Sequence, residues 1–389
     1  MPSSSRIPTR RTNRHNDLAG VQLRSLCDAL ALQDSYPEYL LLQRFLFGAW
    51  GERARPTIRS VPYPSLIGDD HSPYEYSVAF TKREVELRLL LEAQAARPTL
   101  LANHRAALEL NGRLAEVFPI NLSRFNAVAD LFFPSEPRGA FSLWHAVSLR
   151  KARPPKFKVY MNPQSRGREE ATEVVYEALR RLGLAGSVNV LREEVAHRGS
   201  QHDEINYFSL DLSNAPSARV KVYFCHHRAT AADLERSFAA SPLHQAGDVA
   251  GFCADMVGHT GPFNRKPITS CFSFTEGSER PRAATFHLPI AHYAPNDQAI
   301  AARIAAFMRK HELDADRYAH LVARFTRRPL TAGAGVQSYA SFRRDPAEGM
   351  LLTAYLSPEL FRAPVENTNH SQTFDLVHPL IAAGGRVSA

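Results

Sequence analysis

The hydrophobic period of this 389-residue chain changes in a fixed order, and the order repeats five times. Apolar residues first recur at helical spacing over two segments, then alternate one by one over two short runs, before the cycle restarts. The spacing predicts helices over about 20–33 and 37–50, then strands over 73–80 and 84–92. Helices follow over 99–118 and 121–133, and strands over 140–150 and 156–161. The third unit is EEATEVVYEALRRLG and VNVLREEVAHR, then EINYFSLDLS and RVKVYF. The fourth is TAADLERSFAA and GDVAGFCADMV, then SCFSF and ATFHLPI. The fifth is QAIAARIAAFMRKH and DADRYAHLVARFTRR, then VQSYASFR and LLTAYLS. The unit spans roughly 65 residues, longer than most solenoid repeats.

Ten strands in five hairpins must each bury a face and hide their edges. A closed antiparallel β-barrel inside a ring of α-helices does both. A flat sheet with helices on one face is the alternative, but ten twisted strands tend to curl or split. The expectation is an α+β fold of ααββ repeats: a disordered basic tail over 1–18, then one barrel domain over 19–389.

Composition narrows the partners. Charged residues make up 22% and apolar ones 44%, as in ordinary globular proteins, and no apolar run is long enough to span a membrane. The opening MPSSSRIPTRRTNRHN has no apolar signal core, which leads us to expect a cytoplasmic protein. Four cysteines, Cys27, Cys225, Cys253 and Cys271, form no CxxC pair and no zinc spacing, consistent with free thiols; Cys27 and Cys253 fall on helical patterns as core residues. The net charge is +8, half of it from Arg6, Arg10, Arg11 and Arg14, so the folded part is too mildly basic for a nucleic-acid surface. Asp69-Asp70 follows Gly68 and reads as turn chemistry, not as half of a magnesium site. His226-His227, at a strand end, reads as exposed.

In a barrel, alternate residues face the lumen and the helices. RVKVYF (219–224) puts Val220, Val222 and Phe224 on one face and Arg219, Lys221 and Tyr223 on the other. KFKVYM (156–161) repeats this with Lys158 and Tyr160, leaving Lys156 as a rim charge. With the apolar face outward, the lumen also receives Glu75, Arg88, Trp144, Tyr207 with Asp211, Thr285 with His287, Gln337 with Tyr339, and Tyr355. A lumen both cationic and aromatic asks for an anion attached to something apolar, because buried charge without a partner is costly. A water-filled polar interior is the bland alternative.

GDDHSPYEYSVAF (68–80), KVYMNP (158–163), RVKVYF (219–224) and LTAYLSPEL (352–360) together resemble the aromatic prenyltransferases of the dimethylallyltryptophan synthase type. The resemblance runs from about residue 20 to the C-terminus. It implies transfer of a dimethylallyl or geranyl group from its diphosphate to an aromatic ring, usually the indole of tryptophan or a derivative, in secondary metabolism. No metal or other cofactor is implied for catalysis, and the protein would be a monomer or homodimer. The family glutamate that accepts the indole N–H falls on Glu75. The diphosphate-binding cations fall on Arg88, Lys158, Arg219 and Lys221. The tyrosines that shield the allyl cation fall on Tyr160, Tyr223, Tyr355 and Tyr339. Trp144, Tyr207, Thr285 and His287 would complete the wall around the acceptor.

There are departures. The family often carries Gln-x-Tyr where this chain has Thr285 and His287, and a second tyrosine where it has Leu351. The lysine proposed as base in some members has no counterpart here, and alternation points the nearby His145 outward. Two other readings remain at this stage: prenylation of a phenol or other arene, and a non-catalytic barrel that carries an isoprenoid diphosphate.

Overall fold

Val220, Val222 and Phe224 are completely buried, and so are their counterparts Val78, Phe80, Val159 and Met161 on other strands. These residues form the outer faces of a closed barrel. The computed structural model describes residues 14–54 and 61–361. Its strands are β1 (Tyr74–Phe80), β2 (Val85–Glu92), β3 (Leu143–Leu149), β4 (Lys156–Met161), β5 (Asp203–Asp211), β6 (Val220–His226), β7 (Ile268–Phe274), β8 (Ala283–Leu288), β9 (Gln337–Asp345) and β10 (Gly349–Leu356). Each pairs antiparallel with its sequence neighbours, and β1 pairs with β10 from Tyr76↔Leu356 to Phe80↔Leu352, which closes the ring. No strand is left with an unpaired edge.

Helices cover the outside. The first pair is His15–Ala29 and Tyr36–Phe47, and the last is Asp297–Lys310 and Ala315–Phe325. Local chemistry sets their starts: Thr99, Thr230, Asn296 and Asp314 each accept from a backbone N–H in the first turn. The helix expected over 121–133 is broken into Ser123–Asn126 and Ala129–Phe132, with Val128 out of helical geometry between them. The two tyrosines on the outward face of β1 fit there because their hydroxyls are satisfied. Tyr74 donates to Gln22 Oε1 at 2.9 Å and Tyr76 to the Ala19 carbonyl at 3.0 Å. Between β8, β9 and their covering helices lies an aromatic cluster. Phe252 is 4.7 Å from Phe342, 5.1 Å from Phe307 and 5.6 Å from Phe286, ring centre to ring centre.

Three expectations are corrected. The tail cannot run to residue 18, because Arg14 bridges to Ala54 and the first helix starts at His15; residues 1–13 lie outside the described residues. Gln337 faces the helices, where it meets the Tyr318 hydroxyl and Asp297. The cause is a bulge: Ala354 pairs with Ala340 but Leu356 with Gln337, so one extra residue in β9 reverses the alternation. His226 is wholly buried rather than exposed, with Nδ1 2.7 Å from Asp203 Oδ1 and Nε2 2.7 Å from Ser270 Oγ. Serine, histidine and aspartate in this order resemble a hydrolase triad, but Ser270 is completely buried, so no substrate can reach it. The group ties β5, β6 and β7 together on their helix-facing side. Cys27 and Cys253 are buried and free, as expected.

Truncating Phe252 to alanine should cost about 3–5 kcal/mol, because the ring contacts strand and helix residues and the gap cannot close. Urea unfolding of the Phe252→Ala variant checks this.

Candidate active site

Alternation delivers the inward residues to one cavity whose empty space, its open mouth included, is about 730 Å3. It is lined by Glu75, Arg88, Lys158, Tyr160, Arg219, Lys221, Tyr223, Thr285, His287 and Tyr355, ten of the residues expected in the lumen. They are layered along the barrel. Counted from the end where β1 begins, Glu75, Tyr160, His287 and Tyr355 are each the second residue of their strands. Lys158 is fourth, Arg88 fifth and Lys221 sixth, while Arg219 stands just beyond the far end of β6. The carboxylate and the rings thus occupy one end and the cations the other.

At the cationic end the sequence reading missed Arg343 and Glu86, whereas Asp211 was expected in the lumen. Arg343 also lines the cavity, two residues along β9 from Ser341 on the same face. Glu86 and Asp211 counter the cations. Glu86 pairs with Arg88, and its Oε2 lies 2.5 Å from Arg150. Asp211 grips Arg219 at 2.8 and 3.2 Å. Burial pushes both carboxyls up, but the surrounding cations, led by Arg88 for Glu86 and by Arg219 for Asp211 with Lys158 next for each, together reverse this and hold them well below the usual range. The lysines have no such dedicated partner. Burial, then the neighbouring Arg219 and Lys221, force Lys158 far below its ordinary value. Lys221 is pushed down to about 8, chiefly by burial, with Arg219 adding to it. An arriving polyanion would restore charge to both, since an opposite charge favours the charged form.

A chain of rings crosses the cavity near Glu75 and ends beside the cavity at Tyr339. Tyr160 lies 5.7 Å from Tyr223, Tyr223 5.9 Å from His287, His287 6.0 Å from Tyr355, and Tyr355 6.1 Å from Tyr339. Burial, with Lys221 nearby, pushes His287 down to about 3, so its ring is neutral and adds no competing charge to this layer. Leu351 lines the cavity below Thr353. Tyr339 does not line the cavity itself, and neither do Trp144 and Tyr207. The latter two stack with Phe141 beside it, Trp144 4.1 Å from Phe141 and 5.4 Å from Tyr207, under Ile67. His145 does point outward, bonded to Asn111 Oδ1 at 2.9 Å. Lys156 is exposed at the rim.

At the carboxylate end, Ser338 Oγ donates to Glu75 Oε1 at 2.5 Å. Burial pushes Glu75 up to about 8, with Ser338 and Lys266 opposing and Asp69 and Asp70 reinforcing the shift. A second inward carboxyl, Glu92 beside Trp144, is pushed up to about 7 by burial. It lies on the same face of β2 as Arg88 and Leu90, so alternation could have found it. Lys266, Asp69 and His292 also gather here from loops, with Lys266 Nζ 5.0 Å above the Tyr339 ring. No periodicity marks loop residues, and reasoning from strand faces could not reach them.

The sequence model of the tryptophan dimethylallyltransferase family matches residues 34–321. The chain belongs to this family. Among solved structures, 6-dimethylallyltryptophan synthase from Micromonospora olivasterospora, in complex with DMASPP and Trp, is 33% identical; the match covers 90% of this chain and 99% of that one with a TM-score of 0.85. The 5-dimethylallyltryptophan synthase from Streptomyces coelicolor is 29% identical over 90% of this chain and 99% of that one, with a TM-score of 0.81. Among curated proteins, prenyltransferase iacE from Pestalotiopsis fici is 23% identical over 79% of this chain and 82% of its own length. The chain is therefore a prenyltransferase of the dimethylallyltryptophan synthase type, with the family's ten-stranded barrel. No helix among the described residues is long and apolar enough to cross a membrane.

In the protein without substrates the Glu75 carboxyl should titrate near pH 8. Carboxylate difference infrared spectra recorded between pH 6 and 10 check this: the band should grow with pH and vanish in Glu75→Gln.

Proposed function

We propose that the chain transfers the dimethylallyl group of dimethylallyl diphosphate to the indole ring of tryptophan, with the residue roles set out here. The observation that carries the reading is the layering of one cavity, with cations at one end and a protonatable carboxylate among aromatic rings at the other. Arg88, Lys158, Arg219, Lys221 and Arg343 hold the diphosphate. As the C1–O bond breaks, its electron pair leaves with the diphosphate, and these preorganised donors stabilise the charge collecting on the departing oxygen. Tyr160, Tyr223 and Tyr355 face the allyl cation, with Tyr339 beside Tyr355. Each contributes on the order of 0.5–2 kcal/mol of attraction, and together they keep out water that would capture the cation as an alcohol.

Glu75 accepts the indole N–H, which orients the ring and raises its electron density. A ring carbon then bonds to the allyl carbon, and the ring proton is lost to a base. Ionised Glu75 accepts better than the neutral acid, so kcat/KM for tryptophan rises with pH up to about 8. In the donor-free protein Lys221 loses its proton as pH rises past about 8, so kcat/KM for dimethylallyl diphosphate should fall there. The four free cysteines suit a reducing, cytoplasmic setting.

Incubated with tryptophan and dimethylallyl diphosphate in the presence of EDTA, the protein should yield tryptophan carrying one added dimethylallyl group, detected by mass spectrometry. Arg219→Ala and Lys221→Ala should each lower kcat about 10²- to 10³-fold. Glu75→Gln should lower kcat/KM about 10- to 100-fold for indoles while sparing phenols. Absence of product from every indole would refute the reading.

A further inference from the structure

Asp69 and Lys266 form an ion pair outside the barrel strands. Asp69 lies five residues ahead of β1 and Lys266 two residues ahead of β7, so both come from loops at the carboxylate end of the cavity. The loops are built to hold them. The Tyr293 hydroxyl accepts from the Lys266 backbone N–H at 3.1 Å and donates to its carbonyl at 2.7 Å, so the side chain alone is left to reach inward. On the other loop, Asp70 accepts from the Ser72 and Phe361 backbone N–H groups at 3.1 and 3.2 Å. The pair is reachable: the side chains of Lys266 and Asp69 are 27% and 44% exposed, whereas Glu75 is buried. It is also close to the acceptor's ring site. Lys266 Nζ sits over Tyr339, whose ring lies beside the cavity 6.1 Å from that of Tyr355, and Glu75 feels the charge of both partners.

We propose that this pair reads the head group of the acceptor: the α-carboxylate meets Lys266 and the α-ammonium meets Asp69. This rests on the reading that an indole is held at Glu75. An α-amino acid carries opposite charges on adjoining atoms, as the pair does. Inserting the zwitterion turns one ion pair into an alternating array of four charges. Every charge stays partnered and none is added to the site. His292, whose Nε2 is 2.7 Å from Asp69 Oδ2, keeps the aspartate's second oxygen occupied and fixes its orientation. An acceptor with only one of the two charges leaves Lys266 or Asp69 facing an unmatched group, and sites built on polar contacts reject such analogues strongly. With the N–H held at Glu75 and the head held at the loops, the indole has two fixed points. The ring carbon presented to the allyl cation then follows from where the two anchors stand. Asp69 and Lys266 are thus specificity-determining residues.

The test is a panel of four acceptors with dimethylallyl diphosphate: L-tryptophan, tryptamine, indole-3-propionate and 3-methylindole. Wild-type protein should prefer tryptophan over all three others. Lys266→Met should raise KM about 10- to 100-fold for tryptophan and indole-3-propionate and leave tryptamine and 3-methylindole within about threefold. Asp69→Asn should do the same to tryptophan and tryptamine and spare indole-3-propionate. Lys266→Arg should recover most of the affinity, and the variants should alter the ratio of ring positions prenylated. Parallel losses on all four acceptors would make the pair a structural clamp and overturn the proposal. So would a wild-type protein that treats the four alike, an outcome readable even if a variant fails to fold. Turnover of indoles without regard to the head group overturns this proposal alone, whereas no turnover of any indole overturns the functional reading beneath it.

Discussion

Closure of β1 against β10 is the constraint on which the rest of the structure depends. It fixes the direction of every side chain on ten strands, because a closed ring has only an inside and an outside. Once the helices claim the apolar residues, most of the charged residues on the strands share one enclosed volume, while polar groups such as Gln337 and His226 stay outside it only by being bonded there. A row of lysine, arginine and tyrosine that would be unremarkable on an open sheet becomes, by closure, a site. The same geometry explains why so many charges can be buried. They are spread over β2, β4, β5, β6 and β9, and these strands bring their own counter-charges, Glu86 and Asp211, to the same end.

Those counter-charges do not cancel the cations. The two arginines with the tightest grips, Arg88 and Arg219, are neutralised by neighbours, and burial pushes both lysines below their ordinary values. A chamber of five unpaired positive charges would strain the fold, since desolvating unpaired charge costs several kcal/mol per ion. Partial pairing lowers that cost without filling the space where a polyanion fits. The other end is arranged the opposite way, with a carboxyl kept close to neutral by burial and available to ionise.

Much of this was legible in the sequence because period-two alternation carries both fold and site at once. Once the five helix–helix–strand–strand units are recognised, the inward residues follow almost mechanically, and ten of them line the cavity. Arg343, Glu86 and Glu92 obey the same alternation and could have been included. Failures came where alternation does not apply. The bulge in β9 turned Gln337 outward, the break at Val128 has no strong local signal, and His226 looked like a loop histidine until Asp203 and Ser270 were brought to it from other strands. Lys266, Asp69 and His292 are adjacent only through tertiary structure. A resemblance to a family supplied roles for residues, whereas physical reasoning supplied their directions.

The bulge in β9 has an effect out of proportion to its size. It allows Ser338 and Tyr339, adjacent in sequence, both to turn toward the lumen, one to the Glu75 carboxyl and the other beneath Lys266. Strict pleating would permit only one of them. Loss of a single residue from this strand would therefore rotate a hydroxyl or a ring out of the chamber while leaving every amino acid that forms it in the gene. In a barrel of this kind the count of residues between two hairpins is itself part of the active site, and a one-codon deletion can act as a substitution at several positions at once.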